Sequence, residues 1–321
     1  MKLASLNEGR DGKLIVVSHD LKTATLASGV APTLQTALED WTNTEPKLEK
    51  LAAHLEAGKV DSFAFDANSA ASPLPRAYQW LDAGAYIHHM ELARRARGAD
   101  MPPNALTEPA MHQGASDDFR GPTADMELID PEHGLDLEAE VCVVLDDVPV
   151  GVSEDQAAGH IKLLMLVNDL TLRNILPGEL AKGVGFIQSK VANSYSPVAV
   201  TPAALGEHWK DGKLCLPIQC HLNETLMGNP DCGVDMTFNF PRLISHAAKT
   251  RNLRAGTILG SGTVSNRDHS KGSCCLAEKR MIETGEATTQ FLSTGDTVQI
   301  EVLDPNGQSV FGAIRQRVVQ V

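Results

Sequence analysis

Leu135-Asp136-Leu137-Glu138-Ala139-Glu140-Val141-Cys142-Val143-Val144-Leu145 is the stretch on which the reading of this chain turns. As an extended strand it alternates faces with period two, so Glu138 and Glu140 point the same way. A half-buried strand with two carboxylates on its outer face is the simple interpretation. It fails further along, because that same face continues as Cys142 and Val144. Leu137, Ala139, Val141 and Val143 make the other face apolar too, so the strand reads as buried on both sides. Two neighbouring acids on a buried strand repel each other and are costly to desolvate unless a cation compensates them. A hard divalent ion is the natural partner for such oxygens, and other segments must supply its remaining ligands.

The chain has 321 residues, enough for a sizeable core in one large domain or a large one with a small companion. Apolar residues make up 42% and charged residues 21%, the balance of a soluble globular protein rather than a disordered one. The net charge is −13 and the pI about 5.3, which argues against nucleic acid or an anionic membrane as partner. The first ten residues lack the apolar stretch of a signal peptide, and no apolar run approaches ~18 residues, the length of a membrane span. The six cysteines show no CxxC spacing, so neither a zinc site nor a disulfide framework is expected, and a reducing cytoplasm is the expected setting.

In chain order, Leu14–Ser18 and Ala24–Ala27 read as short strands around a His19–Lys22 turn. A helix follows from Leu34 to Trp41, and a second from Thr44 to Gly58 with Pro46 in its first turn. His54 on that helix reads as a surface or packing residue. Ser69–Arg76, rich in Ser, Ala and Pro, reads as a connector to a larger body. Beyond it, Asp82, Tyr86, His88 and His89 crowd into one short stretch, with the two histidines facing different ways. Arg94-Arg95-Ala96-Arg97 reads as a solvated helix face, and Met111–Pro122 as a loop. Ser153-Glu154-Asp155-Gln156 has capping-box spacing. In Leu164–Leu172 an apolar strand is interrupted by Asn168-Asp169, either a metal-binding acid or a strand end breaking into a turn. Gly256–Asn266 suits either backbone N–H groups presented to an anion or a plain strand with turn residues. Phe240–Ala248 reads as an amphipathic helix, and Asn306-Gly307 closes a hairpin between Thr297–Leu303 and Val310–Val319.

The order of several motifs resembles the fumarylacetoacetate hydrolase family over most of the chain, from roughly Arg76 onward. They are Asp136-Leu137-Glu138-Ala139-Glu140, Asn168-Asp169-Leu170-Thr171-Leu172-Arg173, Gln188-Ser189-Lys190, the Ser261-Gly262-Thr263 turn and Gly295-Asp296. The segment before Arg76 resembles the one preceding that body in shorter bacterial members. The resemblance implies an α+β fold: a strand-rich β-sandwich or roll catalytic domain over 76–321 and a small α+β domain over 1–75. It implies Asp82, Glu138, Glu140 and Asp169 as metal ligands, with Lys190 and Ser194 near the metal. His89 would be the catalytic histidine, oriented by Glu278, with Lys190 as a further catalytic residue; Thr263, Arg173 and Arg97 would contact substrate. Three positions depart from the pattern, one of them Arg97, which matches the family's arginine only with a shift of one residue. Leu176 stands where a glutamine is expected, and a substrate-binding tyrosine of the animal enzymes is either replaced by His112 or absent.

The activity so implied is hydrolysis of a carbon–carbon bond in a 1,3-diketo acid, first of all fumarylacetoacetate in tyrosine and phenylalanine breakdown. The ion would be Mg²⁺, with Mn²⁺ and Ca²⁺ also compatible with carboxylate oxygens. The resemblance further implies a homodimer. Acylpyruvate hydrolysis, oxaloacetate decarboxylation and isomerisation of an unsaturated keto acid are alternatives on the same scaffold. A non-catalytic metal-binding protein is the reading furthest from these.

Overall fold

The computed structural model describes residues 1–96, 98–284 and 289–321. Among these, two sheets dominate, with twelve strands in one and five in the other. Along the large sheet the order is Phe63–Ala64, Thr23–Leu26, Lys13–Val17, Lys2–Leu6, Ala199–Val200, Ile161–Asn168, Ala139–Leu145, Ile258–Gly260, Trp80–Ala83 and Met111–Gln113. The helices are α1 (Leu34–Glu39), α2 (Trp41–Glu56), α3 (Ile87–Ala96), α4 (Glu154–Ala157), α5 (Leu176–Leu180), α6 (Phe240–Ala247) and α7 (Leu276–Thr284). The fold is a strand-rich mixed α+β architecture.

The Ala139–Leu145 strand is buried along its whole length, and its alternation decides what covers each face. Cys142 and Val144 join Leu163, Met165 and the apolar faces of α1 and α2, including Leu34, Leu38, Trp41 and Leu48. Val141, Val143 and Leu145 face the other way, into a core shared with Ile218, Val298, Ile300 and Ile314 of the five-stranded sheet. The strand is therefore the middle layer between helices and a second sheet, which is why neither of its faces reads as polar.

The first strands are not set apart from the rest. Lys2 pairs with Val200 and Leu3 with Ala199, so the N-terminal strands extend the large sheet at its flank. The Ser153 capping box forms, with the Ser153 side chain on the N–H of Gln156 and the Gln156 side chain on the N–H of Ser153. At Asp211-Gly212 both φ values are positive, giving the tight turn between Trp209–Lys210 and Lys213–Leu214. The six cysteines are free thiols. No helix among the described residues is long and apolar enough to cross a membrane.

Several local expectations are corrected. The second helix begins at Trp41 rather than Thr44, because Trp41 is buried against the Leu34–Leu38 face, and this moves Pro46 out of the first turn. Met111–Pro122 is not all loop: Met111–Gln113 and Phe119–Arg120 pair into the large sheet. The opening stretch is two strands, Leu135–Asp136 and Ala139–Leu145, with Glu138 bridging to Cys275 between them. Of the two readings of Gly256–Asn266, the strand is found. Ser261 N–H bonds Val141 O and Val264 N–H bonds Ala139 O, so these donors are consumed by the sheet.

Candidate metal and proton-transfer site

Four strand ends bring the acids together. The Ile161–Asn168 strand runs antiparallel to Ala139–Leu145 with Ala139 opposite Asn168, and Asp169 N–H then bonds Glu138 O at 2.9 Å. On the other side Gly260 pairs with Cys142 and with Asp82, so Asp82 comes in from the parallel Trp80–Ala83 strand. His112 lies opposite Asp82 on Met111–Gln113. Gly260 is required here, since a Cβ would sit 2.3 Å from the Trp80 ring and 3.0 Å from Glu140 Oε2. Gly262 at φ +77° turns the chain beneath Ala83 O, where a Cβ would sit at 2.2 Å, and so delivers Thr263.

Candidate ligand atoms of Glu138, Glu140 and Asp169 lie within 4.8 Å of one another, as do those of Asp82, His112 and Asp169. The two groups share Asp169. All four acids are buried, and both oxygens of Glu140, together with Asp82 Oδ1, have no hydrogen-bond partner among the described residues. Buried carboxylate oxygens without donors are strongly unfavourable, and an oxygen-rich set of this kind fits a hard divalent cation.

The electrostatics divide the acids. Burial, then the charges of Asp82, Asp169 and Glu138, pushes the Glu140 carboxyl well above its usual range. Burial also raises Asp82 and Asp169, although Lys190 opposes it at both. For Glu138 burial acts upward, but Arg173 and then Lys190 outweigh it and hold this carboxyl well below its usual value. Lys190 Nζ donates to Asp169 Oδ2, to Thr171 Oγ1 at 2.7 Å and to Glu138 Oε1 at 3.3 Å. Thr263 Oγ1 donates to Glu138 Oε2, and Asn193 Nδ2 to Asp169 Oδ1 at 2.7 Å. His112, with Nε2 buried, unpartnered and 3.7 Å from Asp82 Oδ2, is held down to about 4 by burial and then by Lys190. Its imidazole is therefore neutral at pH 7.

A second group stands beside the acids. His89 Nδ1 is 2.7 Å from Glu278 Oε2, linking the start of α3 to the first turn of α7. With Nδ1 so engaged, Nε2 is the ring nitrogen left for chemistry. His88, one residue earlier, turns away and meets His269, Nε2 to Nε2 at 3.2 Å. His89, Asp82, Glu138, Lys190 and Thr263 all line one cleft of 230 Å³, whose lining also includes Met90, Leu176, Leu180 and Phe186. A larger concavity of 570 Å³ on the five-stranded sheet is lined by none of these acids. Chemistry rather than size marks the site.

The expected residues fall into four groups. Asp82, His89, Glu138, Glu140, Asp169, Lys190, Thr263 and Glu278 are brought together. Arg173 reaches the cleft, yet its guanidinium is engaged by Asp136 Oδ2 at 2.8 Å and Glu138 Oε1 at 2.9 Å, so it balances acids before it can greet a substrate. Ser194 is displaced by one residue of strand alternation: its Oγ accepts from Gln316, and Asn193 holds the place beside Asp169. Arg97 lies outside the described residues, while Arg94 on the same helix lines the cleft. Thr171, Asn193 and Asp136 also belong to the site, though none stands out as a site residue in the sequence. For Asp136 a signal existed, because period two places 136, 138 and 140 on one side of the chain.

Comparison with known proteins bears on the family and the fold. The family model described as "Fumarylacetoacetate (FAA) hydrolase C-terminal" matches residues 79–319, and "Fumarylacetoacetase N-terminal domain 2" matches residues 1–76. Among curated relatives, oxaloacetate tautomerase YisK of Bacillus subtilis (strain 168) is 26% identical over 173 residues, 54% of this chain and 50% of that protein. Fumarylacetoacetase of Caenorhabditis elegans is 24% identical over 237 residues, 62% of this chain and 56% of that protein. The chain spans about half the length of the curated relatives it matches. Among solved structures, maleylpyruvate hydrolase from Sphingobium sp. SYK-6 in complex with manganese (II) ion and pyruvate superposes with a TM-score of 0.67. It is 16% identical, covering 100% of this chain and 99% of that one, a likeness of fold.

Proposed function

The chain belongs to the fumarylacetoacetate hydrolase family, and from that membership we propose that it is a divalent-metal-dependent hydrolase cleaving a carbon–carbon bond of a 1,3-diketo acid. Fumarylacetoacetate, giving fumarate and acetoacetate, is the first substrate to test. The observation that carries the hydrolytic reading is the 2.7 Å contact between His89 and Glu278 beside the buried acids. Decarboxylation or tautomerisation needs no activated water, whereas hydrolysis does.

Asp82, Glu138, Glu140 and Asp169 would hold the cation. Such an ion, when bound, supplies Lewis acidity and positive charge to the substrate's carbonyl oxygens. The remaining chemistry belongs to the chain. His89 Nε2 takes a proton from water as its oxygen attacks one carbonyl carbon, while Glu278 fixes the tautomer and stabilises the imidazolium. Lys190 and Thr263 offer donors to the negative oxygen that develops. The carbon–carbon bond then breaks, its electron pair leaves on the departing carbon as an enolate, and protonation of that carbon completes the reaction. Met90, Leu180 and Phe186 add apolar surface to the lining of the cleft.

His89→Ala is expected to lower turnover by about 10²–10⁴-fold while metal content stays stoichiometric. Full activity in that variant removes the dyad from the mechanism. Substrate class is decided by turnover of fumarylacetoacetate, acylpyruvates, oxaloacetate and an unsaturated keto acid, each with metal and with chelator. Isomerisation or decarboxylation without hydrolysis would overturn the proposal in favour of those activities. The same reading includes Mg²⁺ as the working ion, a homodimer, the cytoplasm, and aromatic amino-acid degradation as the setting. It keeps 1–75 and 76–321 as the two units of the chain.

A further inference from the structure

Asp136 has no place in the reaction just described, yet it is completely buried and its carboxylate is fully used. Oδ1 accepts from Leu276 N–H at 2.8 Å and Oδ2 from Ala277 N–H at 3.0 Å, the first two residues of α7. Oδ2 also accepts from Arg173 Nε at 2.8 Å. Two functional groups lie one step beyond these contacts. Glu278, the partner of His89, is the next residue of α7 after Ala277. Glu138 is ion-paired to the same Arg173 guanidinium at 2.9 Å and follows Asp136 by two residues.

We propose that Asp136 is a positioning residue that locks the helix carrying Glu278 to the acid Glu138, so that the proton-transfer dyad and the metal-binding acids hold one fixed relation. A helix start with free N–H groups is ordinarily capped by its own preceding residue, from the same segment. Here Cys275 Sγ, just before the helix, accepts from Glu278 N–H at 3.3 Å, while the N–H groups of Leu276 and Ala277 are taken by an acid on a strand 140 residues away that leads into the acid cluster. Two backbone bonds to consecutive N–H groups fix both the rotation and the rise of the first turn of α7. Rotation of that turn is what sets where the Glu278 carboxylate meets His89. The Arg173 contact carries the same constraint to Glu138. An isolated cap would need only the backbone bonds, and an isolated ion pair only the guanidinium; one carboxylate making both joins the two halves of the cleft.

This inference rests on the His89–Glu278 reading, and the test separates the two. In the full-length, metal-loaded chain, Asp136→Asn keeps shape but turns one acceptor into a donor facing Ala277 N–H or Arg173 Nε. It is expected to lower kcat about 10- to 100-fold, the range for residues that orient metal ligands or catalytic groups. KM and metal content should stay near wild type. The strongly deshielded proton NMR resonance of the His89 Nδ1–H bond to Glu278 should shift or broaden, which a loss of global stability alone would not produce in folded protein. Asp136→Asn combined with Glu278→Gln should turn over no more slowly than Glu278→Gln alone, because Asp136 acts through Glu278.

Wild-type kcat and an unshifted resonance in Asp136→Asn would overturn the positioning role while leaving an impaired Glu278→Gln, and hence the dyad, intact. Multiplying losses in the double variant would equally overturn it. A fully active Glu278→Gln would instead overturn the dyad and this inference together. Should Asp136→Asn not fold, Asp136→Glu, which keeps the charge but moves the carboxylate by one methylene, carries the same expectations for kcat and for the resonance.

Discussion

Glu140 is the residue least explained by the protein's own contacts. Neither of its oxygens finds a donor among the described residues, and burial with three acidic neighbours raises its pKa well above the usual range. Asp82 and Asp169 are raised as well, burial again acting first. A raised carboxyl keeps its proton to higher pH, and a cation that needs the carboxylate must displace that proton. Metal binding is therefore expected to release protons, and apparent affinity to fall as pH falls into the raised range of these carboxyls. Calorimetric titration in two buffers of different ionisation enthalpy measures the release directly. An apparent binding enthalpy independent of buffer would contradict the expectation, and Glu140→Gln should release fewer protons than wild type. Glu138 differs because Arg173 and Lys190 hold it ionised, so it contributes charge to the site without contributing to this proton release.

At the scale of elements, the site depends on how closely strands approach at Gly260 and Gly262. A methyl group at Gly262 would sit 2.2 Å from Ala83 O on a backbone with φ +77°. Gly262→Ala is accordingly expected to destabilise the protein by about 1 kcal/mol or more and to weaken metal binding by displacing Thr263 from Glu138. The midpoint of urea unfolding measures the first effect, and an unchanged midpoint would show that the turn relaxes freely. These elements also show what the sequence could and could not reveal. Period two along Leu135–Leu145 gave the middle strand and the shared side of Glu138 and Glu140, because burial on both faces leaves a direct mark on composition. The capping box at Ser153 was legible for the same local reason. His112 was hidden within what reads as a loop, since its position opposite Asp82 comes from pairing across thirty residues that no nearby pattern encodes. Ser194 and Asn193 differ by one step of alternation, and which of them faces Asp169 is set by the partner strand rather than by either residue.

For the whole molecule, the family match divides the chain near residue 76, but the hydrogen bonds do not stop there. Lys2–Leu6 pairs with Ala199–Val200, which pairs with the Ile161–Asn168 strand at the centre of the fold. The leucines of α1 and α2 cover one face of that same centre, over Leu163, Met165, Cys142 and Val144. Each such leucine contributes roughly 1.5–3 kcal/mol when fully buried. Removing residues 1–75 would thus uncover an apolar face and a raw strand edge together, a combination that favours association between chains. The piece 76–321, produced alone, is expected to aggregate or to unfold at markedly lower temperature than the full chain, although every candidate ligand and both members of the dyad lie within it. Sedimentation and thermal unfolding of the two forms make the comparison. A monodisperse piece that unfolds cooperatively near the full-chain temperature and binds metal stoichiometrically would mean that the first 75 residues fold beside the catalytic body and not as part of it. Aggregation relieved by adding residues 1–75 as a separate chain would place the dependence in the shared sheet and its apolar cover. The acids then owe their geometry to strands that contribute no ligand at all.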